Sequence, residues 1–236
     1  MRDAIPQRVV CIAGIITVVA LLVGGFALAP SSMPKVNDSA AKWATYVGEH
    51  RSRLQVSNYV SGIAIVGLLF FSSALSNFFA RIEGALRGPS TLIIVGGATT
   101  VAIAAIGGIF SAVLDYRTGA GSDLGVVRAL VDGQTLAFTL IGFPAAVLLA
   151  GGAISTLRNG GLPRWLGWLA LLAAVLSLAG AGAQATTGTF GNEEVFSALG
   201  FASFIGLLVW VLLTSVLLGI RGFRGPATGP EAAATA

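Results

Sequence analysis

Residues 59–80 read YVSGIAIVGLLFFSSALSNFFA, and this stretch contains no charged side chain. A helix needs about 20 residues to cross the hydrocarbon core of a bilayer. Inside lipid the backbone must satisfy its own hydrogen bonds, which a helix does within one segment. The stretch therefore predicts a transmembrane helix.

Five more uncharged or nearly uncharged runs of similar length flank this one on both sides. They cover roughly residues 9–29, 91–114, 134–157, 165–185 and 195–220. Alternating segments of about ten residues, which are typical of a membrane β-barrel, are absent from the sequence. We expect an all-α, polytopic membrane protein: one domain over residues 1–224 folded as a bundle of six transmembrane helices, and a disordered cytoplasmic tail over residues 225–236.

The composition supports this class and excludes others. The chain has 236 residues, of which 55% are hydrophobic and only 10% charged, whereas soluble domains carry about 25% charged residues. The formal net charge of +4 comes from basic residues near the ends of the apolar runs, where they act as topology determinants. The pattern argues against an ordinary soluble enzyme and against a nucleic-acid-binding domain.

The arginines predict how the helices are oriented. With the amino terminus in the cytoplasm, the short cytoplasmic segments all carry arginine close to a span end, where the positive-inside rule has most force. These arginines are Arg2, Arg8, Arg81, Arg87, Arg158, Arg164, Arg221 and Arg224. We expect a multi-pass protein of the plasma membrane with both termini cytoplasmic. The first run, although it ends in the small-x-small tripeptide 27–29, is longer than a signal-peptide core and is followed by Pro30, so we interpret it as a retained helix.

Two of the predicted extracytoplasmic loops are long enough to hold structure. In residues 30–58, Asn37, Asp38 and Ser39 offer helix N-caps, and apolar residues then recur at helical spacing. In residues 114–133, Asp123 is placed to cap a second short helix. We expect the first segment to be an amphipathic helix lying on the membrane surface or over the mouth of the bundle, and the two loops to form an extracytoplasmic cap.

Residue counts limit the chemistry. The chain has one cysteine and one histidine, which excludes an intramolecular disulfide, a haem held by two histidines of one chain, and a typical zinc site. No phosphate-binding loop, nucleophile elbow or zinc-protease motif occurs. We predict no metal and no cofactor, with bound lipid as the expected small molecule.

No Asp, Glu, Lys, Arg or His lies near the middle of any predicted span. Ionisable residues inside a membrane usually mark ion paths or substrate sites. We therefore interpret the chain as a non-catalytic protein: a structural, accessory or assembly subunit that binds lipid, other membrane protein subunits or a second copy of itself through small-residue faces. An alternative is a carrier or channel for a neutral or lipophilic solute, with a cavity near Thr99, Thr139 and Pro144, where the proline predicts a helix kink.

A third hypothesis is a membrane enzyme with its site at the extracytoplasmic rim. Polar residues that end or begin spans could meet there around one mouth: His50, Asp115, Arg117, Asn192, Glu193 and Glu194. His50 would act as the acid–base group, and the paired carboxylates could hold a divalent cation. The competing interpretation is that Asp132 and Asn192 are helix N-caps and that Glu193 and Glu194 complement the dipole of a first helical turn.

Two segments resemble a broader group. They are the turn LPRWLG at residues 162–167, which leads directly into the fifth span, and the ending VLL…IRGF at residues 211–223. Together with the long loop after the first span, they resemble a family of uncharacterised six-span bacterial membrane proteins, and the preference for Arg over Lys looks actinobacterial. The resemblance implies six spans and a plasma-membrane location, and it supplies no site residues.

Overall fold

A computed structural model describes residues 4–28, 30, 33–84, 88–118, 122–182 and 193–223; of these, the side chains of residues 4–6, 193–197 and 223 are not described. This part of the chain is helical and contains no strand. Its helices are α1 (Ala4–Leu22), which continues as a π-helical turn (Val23–Ala27), α2 (Ala40–Glu83), α3 (Pro89–Arg117), α4 (Leu124–Leu140), α5 (Gly142–Asn159), α6 (Arg164–Ala181) and α7 (Glu193–Phe223). The predicted tail, residues 225–236, lies outside the described residues.

Six helical segments are long and apolar enough to cross a membrane, as the sequence predicted. They are Gln7–Ala27, Ala40–Glu83, Pro89–Arg117, Leu124–Asn159, Arg164–Ala181 and Ala198–Gly222. The fourth segment consists of α4 and α5, which are separated at Ile141. Pro144 lacks the N–H that would bond to the Leu140 carbonyl, so the ladder is interrupted one turn before the proline. The sequence predicted a kink at this proline, and the structure places the break between α4 and α5 three residues before it.

The six segments pack as a closed ring in chain order. Each helix contacts the next, with α3 joined to both α4 and α5, and α7 returns to pack against α1. The centre is filled by aromatic and aliphatic side chains: Phe71 and Trp210 are fully buried and meet edge to face, with ring centroids 5.9 Å apart. A hydrogen bond between the Ser177 and Ser203 hydroxyls, 2.6 Å long, links α6 to α7.

Glycine lets several helix pairs approach closely. A Cβ added at Gly96 of α3 would lie 2.8 Å from the Leu148 Cα and 2.9 Å from the Pro144 carbonyl oxygen. One at Gly151 of α5 would lie 2.9 Å from the Pro89 carbonyl oxygen. Contact through small residues is the usual basis of helix association in lipid, and here it places the backbones of α3 and α5 side by side.

The segment after the first loop differs from the expectation of a separate surface helix. Ser39 does cap a helix, since its hydroxyl accepts a hydrogen bond from the Lys42 amide at 3.3 Å. That helix, α2, then runs without interruption for 44 residues, or about 66 Å at 1.5 Å per residue. No glycine or proline signal stops it between residues 49 and 58, so the predicted loop helix is the first part of α2 and not a separate element.

The start of the fourth span also differs. Asp123 caps α4 through the Gly125 amide at 2.8 Å, as predicted. The interpretation of Asp132 as an N-cap is wrong, because Asp132 lies inside α4 and forms an i,i+4 ion pair with Arg128 at 2.9 Å. The helix had already begun at Leu124, so Asp132 had no free amides to cap.

The two ends of the bundle differ in charge. We call one the basic end: it holds the start of α1, the ends of α2, α5 and α7, and the start of α6. Each of these helix termini carries an exposed arginine, namely Arg8, Arg81, Arg158, Arg164 and Arg221. We call the opposite end the cap end: it holds the first half of α2, the end of α3 and the start of α4.

Candidate functional site

The cap end has a small hydrophobic core of its own, separate from the main core of the bundle. Its buried members come from the first half of α2, the end of α3 and the start of α4: Trp43, Tyr46, Val47, Leu114, Val127 and Val131. The Trp43 indole donates a hydrogen bond to the Lys35 carbonyl at 3.1 Å, which fastens the preceding loop to this core. Beside it, the ammonium of Lys42 donates a 2.7 Å hydrogen bond to Asp38 and lowers the pKa of that exposed carboxyl.

Asp115 is the deepest charged residue at the cap end, since only 3% of it is exposed. Its carboxylate accepts a 2.5 Å hydrogen bond from the Asn58 amide group on α2. Arg51, seven residues before Asn58 on α2, donates to the Thr118 carbonyl at the end of α3. Burying a carboxylate is costly unless it is hydrogen-bonded, so the Asn58 bond makes Asp115 an anchor between α2 and α3, and the Arg51 bond is a second link between the same helices.

Two further predicted site residues make only local contacts. The His50 Nδ1 donates to the Tyr46 carbonyl of its own helix at 2.9 Å, and its ring stacks 4.8 Å from the Tyr46 ring. Arg117 is exposed, with its guanidinium 5.9 Å from the centre of the Tyr116 ring. Within the described part of the chain, no hydrogen bond or ion pair joins His50, Asp115 and Arg117 to one another.

The structure does not describe the side chains of the other predicted rim residues. Asn192 and the side chains of Glu193 and Glu194 lie outside the described residues. Where side chains are described, no group of three His, Cys, Asp or Glu residues lies close enough to hold a metal ion. The rim site as a whole therefore stays a prediction.

Three further residues of the cap end were not predicted as site residues from the sequence: Tyr46, Arg51 and Asn58. The Tyr46 hydroxyl and the Arg51 Nε are buried without a hydrogen-bond partner among the described residues. A signal was present: residues 46, 50, 54 and 58 recur every four positions, so they share one helix face. These four positions can be assigned to one helix face only if α2 is continuous through residues 49–58.

A second feature is a lateral groove where α3 passes the break between α4 and α5. It is open to the side of the bundle and has a volume of about 350 Å³. Its lining is almost wholly apolar and consists of Val95, Gly96, Thr99, Ile103, Leu140, Phe143, Pro144 and Val147. We refer to it below as the lateral groove.

The sequence explains how the groove forms. Behind it, Gly96 brings the backbone of α3 against Leu148 and the Pro144 carbonyl. In front, the exposed side chains of Val95 and Phe143 stand on either side, with 53% and 47% of their surface accessible. Because the backbones of α3 and α5 touch while the Val95 and Phe143 side chains project on either side, a trough remains between these side chains. Of the three residues predicted to line a cavity, Thr99 and Pro144 lie in the groove, whereas Thr139 bonds to the Thr135 carbonyl of its own helix.

The polar side chains in the middle of the bundle are neutral and mostly bonded to backbone. Thr100 donates to the Gly96 carbonyl and Thr17 to the Ala13 carbonyl, each one turn earlier on the same helix. Ser215 of α7 does the same with Val211 at 2.7 Å. These bonds satisfy three hydroxyls locally, whereas the hydroxyls of Thr156 and Thr214 and the indole N–H of Trp210 are buried without a hydrogen-bond partner among the described residues.

Comparison with known proteins adds no identification: no family model matches the chain, and neither the curated proteins nor the solved structures show a significant match. The resemblance noted from the sequence therefore carries no further argument. The function must be inferred from the fold, the lateral groove and the cap end alone.

Proposed function

We propose that the protein is a non-catalytic integral membrane protein, an accessory or structural subunit that binds a lipid in the lateral groove. The observation that carries the proposal is the groove itself, an apolar trough that opens to the side of the bundle between α3 and α5. In a bilayer this side faces acyl chains. A trough lined by Val, Ile, Leu and Phe matches such a chain by shape and polarity.

The outer surface of the bundle supports insertion into a membrane. Large apolar side chains are exposed around it on every long helix; examples are Ile12, Phe70, Ile109 and Trp168, each at least 55% accessible. A soluble protein rarely exposes contiguous apolar patches of this extent. In the proposed orientation, the basic end faces the cytoplasm of a bacterial cell and the cap end forms an extracytoplasmic cap.

A second candidate, a carrier for a lipophilic solute, is favoured by the position of Thr99 and Pro144 in the groove. Against passage through the bundle stands the packing behind the groove, where Gly96, Leu148 and Pro144 are in close contact. A solute held there would remain at the lipid-facing side. We therefore prefer binding to transport.

The proposal can be tested by filling the groove. Thr99→Phe places a ring in the trough, whereas Ile109→Phe places the same ring at an exposed position of the same helix outside the groove. We expect protein purified in mild detergent to retain a stoichiometric lipid, measured by native mass spectrometry, and Thr99→Phe to lose it while Ile109→Phe keeps it. Equal lipid occupancy in both variants, or no retained lipid in the parent protein, would contradict the proposal.

A further inference from the structure

One face of α5 connects the lateral groove to the basic end. Phe143, Val147, Ala150, Ile154 and Arg158 follow one another at steps of three or four residues, so they lie along one side of the helix. Phe143, Val147 and Arg158 are exposed, and Ala150 and Ile154 are partly exposed. The face is apolar from the groove downward and ends in a guanidinium group.

The length of this face matches one leaflet of a bilayer. Val147 and Arg158 are 11 positions apart, which is about 16 Å along a helix. Half of a hydrocarbon core is about 15 Å thick. The groove residues of α4 and α5 lie between positions 140 and 147, in the middle of the predicted fourth span (residues 134–157), so the Arg158 guanidinium is expected at the level of the lipid headgroups.

The neighbouring helix α3 widens this apolar face of α5, and we refer to the two together as the strip. On α3, Leu92 is exposed one turn below Val95 of the groove, and its first turn packs against Gly151 of α5. Leu92 therefore extends the exposed apolar surface from the groove toward the basic end, beside the same face of α5.

No ion pair joins Arg158 to a carboxylate in the part of the chain whose side chains are described. Glu83, at the end of α2, is turned toward α3 and α5. It accepts hydrogen bonds from the Ser90 hydroxyl at 2.6 Å, the Ser90 amide at 3.1 Å and the Ser155 hydroxyl at 2.8 Å. Its oxygens thus accept from neutral donors and form no hydrogen bond with Arg158, while the exposed arginines outnumber this one half-buried carboxylate at the described basic end.

We propose that this strip binds an anionic phospholipid, with an acyl chain in the lateral groove and the phosphate on Arg158. A guanidinium pairs with phosphate oxygens through two parallel hydrogen bonds. Complementary charge at the headgroup distance selects anionic over zwitterionic lipid, and the apolar strip selects lipid over free phosphate. The inference rests on the proposed function and adds the lipid class and the headgroup contact to it.

The test measures lipid preference in the purified full-length chain. Protein in mild detergent is incubated with equal amounts of phosphatidylglycerol and phosphatidylcholine, and the ratio of bound lipids is read by native mass spectrometry. Arg158→Gln should lower the ratio about fivefold, the size of effect expected for one arginine near an anionic surface. Arg158→Lys, which keeps the charge, should retain most of the preference.

Arg8→Gln is the matched control, because Arg8 is exposed at the same end on α1, a helix that packs against α2 and α7. An equal fall in Arg8→Gln and Arg158→Gln would overturn the inference, since it would indicate general surface charge. An unchanged lipid ratio in Arg158→Gln would also overturn the inference. If the melting temperature alone fell, the role of Arg158 would be to complement the carboxyl end of the α5 dipole. If Thr99→Phe still abolishes binding of both lipids in that case, the proposed function survives and only the headgroup assignment fails.

Discussion

At the scale of single residues, glycine sets the distance between α3 and α5. Gly96 and Gly151 lie where a methyl group would meet backbone atoms of the other helix, and backbone cannot move aside as a flexible side chain can. Gly108 lies on the same helix, 12 positions after Gly96. A Cβ added there would have no neighbouring atom within 4 Å. In the sequence each of the three is adjacent to a second glycine (Gly97, Gly107 and Gly152), so the local pattern does not distinguish their roles.

We predict that Gly96→Ala destabilises the protein by about 1–3 kcal/mol, the usual range for overpacking a tight contact. Gly108→Ala should be neutral or stabilise the helix by up to about 1 kcal/mol, because alanine restricts the unfolded chain and meets no neighbour. Thermal unfolding in detergent, followed by circular dichroism, compares the two. Equal melting temperatures for both variants would mean that α3 and α5 are not in backbone contact at this point.

The hydrogen-bond partners of Glu83 are set by the packing of the helices and not by a local sequence motif. In the sequence Glu83 is simply an acidic residue shortly after the apolar run 59–80. In the structure its carboxylate bonds to Ser90 at the start of α3 and to Ser155 on α5, so one side chain joins three helices. Neither serine is near Glu83 in a recognisable motif, and only the packing of the ring brings Ser155 to it.

We predict that Glu83→Ala lowers the free energy of unfolding by about 2–3 kcal/mol, since hydrogen bonds to a charged group contribute roughly 1.5–3 kcal/mol and the Ser90 and Ser155 donors lose their acceptor. Ser155→Ala removes one bond and should cost about 1 kcal/mol. Denaturant unfolding in mixed micelles measures both. A larger loss from Ser155→Ala than from Glu83→Ala would contradict the assignment of Glu83 as the shared acceptor.

At the scale of elements, the sequence located the helices well and their junctions poorly. Runs without charge marked the six spans because lipid tolerates little else. Residues 40–58 carry Glu49, His50, Arg51 and Arg53, and this polarity suggested a separate surface helix. The backbone continues as α2 because helix formation needs no apolar residues outside the membrane, and because Asn58 and Arg51 hold the extension against the end of α3.

The extension of α2 is therefore expected to depend on Asp115. In Asp115→Ala, Asn58 loses its acceptor and the cap-end core loses one of its links to α2. Hydrogen exchange measured by mass spectrometry should become faster in residues 40–58 and 124–131, with residues 64–83 unchanged. Asp115→Asn keeps an acceptor oxygen for Asn58 and should change exchange much less. Uniformly faster exchange through the whole of α2 would show that Asp115 supports global stability and not this extension.

At the scale of the whole molecule, the ring is closed by α7 returning to α1, a contact that no local pattern in the sequence could predict. The two helices meet through small residues, since Gly14 lies against Ser215 and Gly219 against Cys11. The separation in sequence exceeds 200 residues, and many helix orders satisfy the same hydropathy profile. Small faces were predicted on the helices, but their partners follow only from the complete packing.

Cys11, the one cysteine of the chain, makes this closure testable. A Cβ at Gly219 would lie 3.2 Å from the Cys11 Cβ, close to the roughly 3.5–4.5 Å that a disulfide spans. We predict that Gly219→Cys cross-links to Cys11 under mild oxidation, within one chain and independently of protein concentration. The product should migrate faster than the reduced protein on a denaturing gel without reductant. Gly108→Cys, on a helix that does not contact α1, is the control and should give no such band. Cross-linking only between chains would mean that α1 and α7 meet in a dimer and not within the ring.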